Sequence, residues 1–359
     1  MSPGIEFNRR LEAIPAYPRA GSYEHGGELV KLASNESPFG PPAAVVTAIH
    51  GQLETLNRYP DPDKSALRKA ISDRTGIGAD RVTVGNGSCE ILLAAADALL
   101  EPGAELVYAW PSFSVYPMLA AQSGATELRV PLDAEGRHDL DAMAREVTAA
   151  TRLVLVCNPN NPTATALPPD QIEEFVAGVP DHVAVILDEA YVDFNLLQDP
   201  HDSLELVKRH SNLIVLRTFS KIYGLCGLRA GYALGPERFR RAIDHVRQPF
   251  SVNTLAQAAA AEALRHSDEI ARRVEATVIE RVHMESELAE RGLESTESQA
   301  NFSWVSLGER DEHEVVEGLA ERGVIVRAGS ALGEEGRLRV TYGTRAENDA
   351  FLAVLDELL

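Results

Sequence analysis

The sequence predicts an α/β fold: a large domain with a mostly parallel seven-stranded sheet between helices, followed by a smaller α+β C-terminal domain. Three observations lead there. A chain of 359 residues is too long for one ordinary core, so a large domain plus a smaller one is expected. From Arg81 to Leu234 short apolar runs alternate with helix-like segments, the rhythm of strand–helix units. Beyond Pro249 the texture changes to a long charge-laced helical run and then shorter strands.

In chain order, the Pro-rich start (Pro15, Pro18, Pro38, Pro41, Pro42) predicts an extended arm that cannot be helical, because proline lacks the N–H donor and restricts its predecessor. The expected division is an arm over 1–30, a large domain over 31–250 and a small domain over 251–359. Candidate strands are Arg81 to Gly85, Glu105 to Trp110, Ala125 to Pro131, Arg152 to Cys157, His182 to Asp188, Asn212 to Arg217 and Arg229 to Leu234. Runs such as Leu153-Val154-Leu155-Val156 are continuously apolar, as strands covered on both faces must be. Between them, Ser88 to Leu100 places Ile91, Leu92, Ala95 and Leu99 on one helical stripe. The second domain begins with a helical run from Val252 to about Arg291, then strands at Asn301 to Val305, Val324 to Arg327 and Arg337 to Tyr342, and a last helix from Arg345.

Composition narrows the function. A formal net charge of -20 argues against nucleic acid or an anionic membrane as partner, since both need a basic face. A small anionic substrate stays possible, because a pair of arginines reverses the field in one cleft. Cys89, Cys157 and Cys226 are odd in number and widely spaced, which indicates neither a disulfide framework nor a metal site and fits a reducing cytoplasm. Met1 to Arg10 lacks a signal pattern, and no apolar run reaches the ~18 residues of a membrane span.

Four segments carry chemistry. Lys221, in Arg217-Thr218-Phe219-Ser220-Lys221, follows an apolar strand and precedes a Gly-rich loop; partial desolvation there lowers an amine's pKa and makes it nucleophilic, the alternative being a surface loop lysine. Asp188 and Tyr191 close another buried strand, at the sheet edge where ligands bind. A buried carboxylate needs a cationic partner, such as a protonated pyridine nitrogen; the alternative is a helix cap. Cys157-Asn158-Pro159-Asn160-Asn161-Pro162-Thr163 is a rigid turn in which Asn161 can offer its amide to a phenolate oxygen. Gly85-Asn86-Gly87-Ser88 opens a helix and suits one phosphate; the alternative is a tight turn with Ser88 as N-cap. It is not a dinucleotide fingerprint, since Glu90 occupies the third glycine position and no acid ends a strand near position 105.

The order Gly-Asn-Gly-Ser, Pro-Ser-Phe, Asn-Pro-Asn-Asn-Pro-Thr, Asp-Glu-Ala-Tyr, Thr-Phe-Ser-Lys, Gly-Leu-Arg and Leu-Arg-Val-Thr resembles the fold-type I aminotransferases. Within them it is similar to the branch of histidinol-phosphate and aromatic amino acid (phenylalanine) aminotransferases, from Lys31 to Phe351. The resemblance implies pyridoxal 5'-phosphate as cofactor, held by Lys221 as a Schiff base, with Asp188 on the pyridine nitrogen and Asn161 and Tyr191 on the phenolic oxygen. Phe113 takes the place of the stacking aromatic, where many relatives have Tyr. Gly87, Ser88 and Cys89, with Thr218, Ser220 and Arg229, are implied to hold the phosphate, joined by Tyr59 from the neighbouring subunit of a homodimer. Arg339 is implied to bind the substrate carboxylate, with Arg327 and Asn35 as further substrate residues. Ala164 and Cys226 depart from the family pattern, standing where Gly and Ala are usual.

The activity so implied is transfer of an amino group between an aromatic L-amino acid and 2-oxoglutarate. Histidinol phosphate is the alternative donor. A decarboxylase on the same fold would keep every cofactor residue and differ only in its products.

Overall fold

The computed structural model describes residues 5–16 and 29–359, so the predicted constraint at Pro18 lies outside the described residues. Twelve strands are present among them: β1 (Val30–Lys31), β2 (Val82–Gly85), β3 (Glu105–Trp110), β4 (Thr126–Pro131), β5 (Thr151–Cys157), β6 (Ala184–Asp188), β7 (Leu213–Thr218), β8 (Gly231–Leu234), β9 (Phe302–Ser306), β10 (Val324–Ile325), β11 (Arg327–Ala328) and β12 (Arg337–Thr341).

A seven-stranded sheet in the order β2-β8-β7-β6-β5-β3-β4 forms the centre, as predicted. Neighbours from β7 through β4 are parallel, whereas β8 runs antiparallel to both β7 and β2. Its continuous apolar runs divide by the two-residue period of a strand. Val154, Val156, Val185, Leu187 and Val215 enter one core; Leu153, Leu155, Ile186, Ile214 and Leu216 enter the other. The helix Ser88–Leu99 buries Ile91, Leu92 and Ala95 in the second core, which fixes its N-terminus over the end of β2. Each fully buried aliphatic side chain contributes about 1.5–3 kcal/mol, so the sheet edge rests on a rigid base.

The C-terminal part carries a three-stranded antiparallel sheet, β11-β12-β9, and β10 pairs in parallel with β1. Three predicted elements differ from the observed ones. The strand expected from Val324 to Arg327 is two short strands, because Val324 and Ile325 bond to Val30 and Lys31 while Arg327 and Ala328 bond to β12. The helical run from Val252 is two helices, Thr254–Ala263 and Ser267–Glu290. Tight bonds from Arg265 to Glu262 and from His266 to Ala263 close the first before Asp268 and Glu269 open the second. Among the described residues of the arm there is a 3-10 turn, Arg9–Ala13, ahead of Pro15, with Asn8 accepting from the Arg10 N–H.

Candidate active site

Strand register assembles the site. Gly85 and Thr218 both lie opposite Gly231, and Asp188 lies opposite Leu216 on one side and Cys157 on the other. The carboxyl ends of β2, β5, β6 and β7 therefore form one row, the position at which open α/β sheets bind ligands.

At the β2 end of this row the groups suit an anion. Gly87, at φ +76°, precedes the helix Ser88–Leu99, and no side chain caps it. The predicted alternative of Ser88 as N-cap is thereby replaced: Ser88 is the first helical residue and the leading N–H groups stay open. A Cβ on Gly87 would stand 2.5 Å from Arg229 Nη2, and one on Gly231 would stand 2.5 Å from the Ser88 nitrogen. Close approach thus requires glycine at both positions and sets the Arg229 guanidinium against the helix N-terminus. Thr218 Oγ1 donates to Ser220 Oγ at 2.9 Å, adding two hydroxyls to the cradle. Glu90 serves the turn itself, accepting from the Asn86 N–H at 2.6 Å and from Ser251 Oγ at 3.0 Å.

In the middle of the row Asp188 is buried and caps no helix. Its Oδ2 accepts from the Tyr116 hydroxyl at 3.1 Å, while Oδ1 has no hydrogen-bond partner among the described residues. Burial raises its pKa to about 6, against the lowering effect of the Tyr116 hydroxyl and the Ala190 N–H. Phe113 meets the Tyr116 ring edge-on at 5.8 Å. Behind Asp188, buried Glu189 pairs with Arg217 at 2.9 Å and accepts from Ser203 Oγ, tying the end of β6 to the end of β7. Cys89 lies within the electrostatic reach of Asp188, Arg229 and Lys221, and burial raises its thiol pKa.

Lys221 is half-buried; its Nζ donates to the Ser34 carbonyl at 3.0 Å and stands 5.6 Å above the Tyr191 ring. Burial first, and the Arg339 charge second, lower its pKa to about 8. Roughly a quarter of such an amine is neutral near pH 7.5, against about a thousandth for an ordinary lysine. The segment 33–35 is a hub. Ala33 O accepts from Arg339 Nη2 at 2.6 Å, Ser34 O accepts from Lys221, and Asn35 Nδ2 donates to the Tyr191 hydroxyl at 3.0 Å. Thr341 holds Asn35 in place from β12 through bonds at 2.9 and 3.1 Å.

Arg339 is buried, and its Nη1 donates to Asn161 Oδ1 at 2.6 Å. With that oxygen engaged, Nδ2 is the part of the Asn161 amide available to a ligand. Arg327 lies directly opposite Arg339 across β11 and β12, so two buried guanidiniums are cross-strand neighbours. Of the other asparagines in this turn, Asn158 bonds to Leu167, and Asn160 accepts from Ser112 Oγ at 2.8 Å and donates to Thr163 Oγ1 at 2.9 Å. These two build the turn that aims Asn161. Ala164, at φ +61°, occupies a left-handed position, which accounts physically for the usual glycine there.

Tyr59 alone among the predicted residues stands apart in this chain. It is 83% exposed and stacks on Phe250 at 4.7 Å. Sequence reasoning missed Tyr116, although it follows Phe113 by one helical turn, and missed the carbonyls of Ala33 and Ser34, for which side-chain types give no signal. A groove of about 860 Å³ runs beside these loops, past Trp110, Thr163, Thr296 and Arg337. None of Lys221, Asp188 or Tyr191 lines it, so convergence of side chains and not cavity size identifies the site.

Residues 27–355 match the family model described as aminotransferase class I and II. The chain is 42% identical over 347 residues to an aromatic amino acid aminotransferase of Cutibacterium acnes, covering 97% of each protein. It is 39% identical over 361 residues to a histidinol-phosphate aminotransferase of Geobacillus thermodenitrificans, covering 99% of this chain and 98% of that one. Its fold is similar to the crystal structure of histidinol-phosphate aminotransferase from Sinorhizobium meliloti in complex with pyridoxal-5'-phosphate, with a TM-score of 0.89, 26% identity and full coverage of both chains. A match over nearly the whole length, joined to a lysine, an aspartate and an arginine gathered at one sheet edge, means that the chain belongs to the class I and II aminotransferase family.

Proposed function

We propose that this chain is a pyridoxal 5'-phosphate enzyme that moves an amino group between an aromatic L-amino acid and 2-oxoglutarate. The observation that carries the reading is the convergence of Lys221, Asp188 and Arg339: an amine with lowered pKa, a buried carboxylate with one unbonded oxygen, and a buried guanidinium. The aromatic donor rests on the relative named for that activity at 42% identity.

The residues fit the cofactor. The orphaned Oδ1 of Asp188 is a buried acceptor for a ring N–H⁺, and the cradle of Gly87, Ser88, Cys89, Thr218, Ser220 and Arg229 suits a phosphate. Phe113 offers an aromatic face, and Asn161 Nδ2 with the Tyr191 hydroxyl offers donors to the ring oxygen. When bound, pyridoxal phosphate supplies an aldehyde carbon and an electron-withdrawing ring. Lys221 is the residue that would hold the cofactor through its aldehyde and, once displaced by the substrate amine, would serve as the general base toward the proton on the substrate's α-carbon. Its lowered pKa keeps a useful neutral fraction at working pH. Asp188, ionised, holds the ring nitrogen protonated. Arg339 grips the α-carboxylate, and Asn35 keeps Tyr191 turned toward the site.

Histidinol phosphate is the second reading, supported by Arg327 directly beside Arg339, a pair able to take a side-chain phosphate. The partner reading is a two-fold homodimer in which Tyr59 reaches the neighbouring phosphate cradle. It is supported by the exposed aromatic pair Tyr59 and Phe250 and by exposed Leu53 and Leu56 nearby in sequence. Among the described residues no helix is long and apolar enough to cross a membrane; a cytoplasmic location is part of the same proposal. The test is a panel of L-phenylalanine, L-tyrosine, L-tryptophan, other L-amino acids and histidinol phosphate with 2-oxoglutarate, following keto acid, glutamate and carbon dioxide. Preferred turnover of histidinol phosphate would move the assignment to the second reading, and carbon dioxide without glutamate would replace both.

A further inference from the structure

We propose that Tyr116 is a positioning residue for amino transfer: its hydroxyl pins Oδ2 of Asp188, so that Oδ1 is presented, as part of a carboxylate, to the cofactor's ring nitrogen. The proposal rests on the pyridoxal phosphate reading above and adds a residue that the sequence motifs do not contain.

Tyr116 is fully buried at the first position of the helix Tyr116–Ser123. Its ring is fixed edge-on by Phe113 and by Tyr108, each with centroids 5.8 Å away. Its hydroxyl reaches Asp188 Oδ2 at 3.1 Å. Burial and the nearby carboxylate hold the phenol proton on, so the hydroxyl acts as a donor. A phenol has one proton and Asp188 has two oxygens; committing the proton to Oδ2 leaves Oδ1 as the free acceptor. The other titratable groups facing Asp188 are Cys157, Cys89, Tyr191 and Glu189. Burial raises the pKa of both thiols and of the Tyr191 phenol, so none of the three competes as an anion, and Glu189 is paired with Arg217. Among the described residues Tyr116 makes the only side-chain hydrogen bond to Asp188. The same stretch of chain carries Phe113, so one rigid aromatic cluster sets both the ring face and the carboxylate.

Tyr116→Phe keeps the ring and removes the bond. Tyr108→Phe is the control, since Tyr108 belongs to the same aromatic cluster but donates to Glu127. Two measurements on the full-length protein decide the matter. One is the pH titration of the Asp188 carboxyl in cofactor-free, ¹³C-aspartate-labelled protein, with Asp188→Asn identifying the resonance. The other is pyridoxal phosphate affinity by equilibrium dialysis. Tyr116→Phe is expected to raise the Asp188 midpoint by about one pH unit and to weaken cofactor binding roughly tenfold, the scale of one hydrogen bond to a charged group. Tyr108→Phe is expected to change neither. An unmoved Asp188 titration in Tyr116→Phe, or an equal shift in Tyr108→Phe, overturns the proposal. Failure of wild-type protein to take up pyridoxal phosphate overturns the functional reading instead, because the titration is read without cofactor.

Discussion

Replacing Arg339 with lysine separates charge from geometry. The guanidinium forks to two acceptors, Asn161 Oδ1 and Ala33 O, both at 2.6 Å, and lies 5.5 Å over the Phe302 ring, contacts that orient its plane. A lysine ammonium keeps the positive charge but not the fork. Charge-assisted bonds are worth about 1.5–3 kcal/mol each, and a bidentate grip on a carboxylate uses two of them. Losing one bond and the alignment it enforces gives a loss of ~10²-fold or more in kcat/KM, about 3 kcal/mol of transition-state stabilisation. Lys221 serves as an internal reporter, because the Arg339 charge is the second cause of its lowered pKa. Arg339→Lys should therefore leave the Lys221 amine pKa, read in cofactor-free protein from the pH dependence of its rate of combination with pyridoxal phosphate, nearly unchanged while activity falls. Arg339→Met should raise the Lys221 pKa as well. Steady-state rates with an aromatic amino acid and with 2-oxoglutarate, measured beside that titration, give both numbers for each variant. An unchanged KM for both substrates in Arg339→Lys would remove Arg339 from the substrate site.

Lys221→Ala should abolish turnover and leave pyridoxal phosphate bound without a borohydride-sensitive bond; wild-type-like rates in that variant would refute its role. Asp188→Asn should stabilise cofactor-free protein at high pH. The folded pKa of Asp188, about 6, lies above the ordinary 3.8, so the folded chain holds the extra proton between these values and stability falls as pH rises through them. Thermal unfolding should show a gain of about 2–3 kcal/mol for the variant above pH 6 that vanishes below about pH 4; a gain independent of pH would reject the burial explanation. Mixing Tyr59→Phe subunits with Lys221→Ala subunits should restore one competent site per hybrid dimer, as read by activity against mixing ratio; no recovery, or a fully active monomer by light scattering, would place Tyr59 outside the site.

The sheet was legible because its inner strands are buried on both faces and so leave near-continuous apolar runs in the sequence, whereas the edge strand β4 is largely exposed and leaves none. Val183 to Leu187 and Leu153 to Val156 need no tertiary information to be recognised. Short strands that depend on partners far along the chain were less legible. Val324-Ile325-Val326-Arg327 reads as one run, and only pairing with Val30 and Lys31 on one side and with β12 on the other divides it. Side chains that converge at strand ends, such as Lys221, Asp188 and Asn161, were legible because small or turn-forming residues surround them. Ser34 and Ala33 act through carbonyls, and carbonyls are the same in every residue. Tyr116 was hidden for a different reason: in sequence a buried tyrosine looks like core, and only the position of its hydroxyl distinguishes it.

The groups gathered at this edge are electrostatically strained in ways that share one remedy. Burial disfavours the charge on Asp188 and on Lys221, and Arg327 and Arg339 set two positive groups on adjacent strands. A protein optimised for stability alone would carry apolar residues at such positions. In the proposed reading a ring N–H⁺ would offset the cost at Asp188, and an aldehyde would convert the Lys221 amine into a covalent anchor. The strain and the specificity are therefore the same feature. Under that reading a molecule lacking either group would leave one of these costs in place, so binding at this edge would favour an aldehyde-bearing cationic ring.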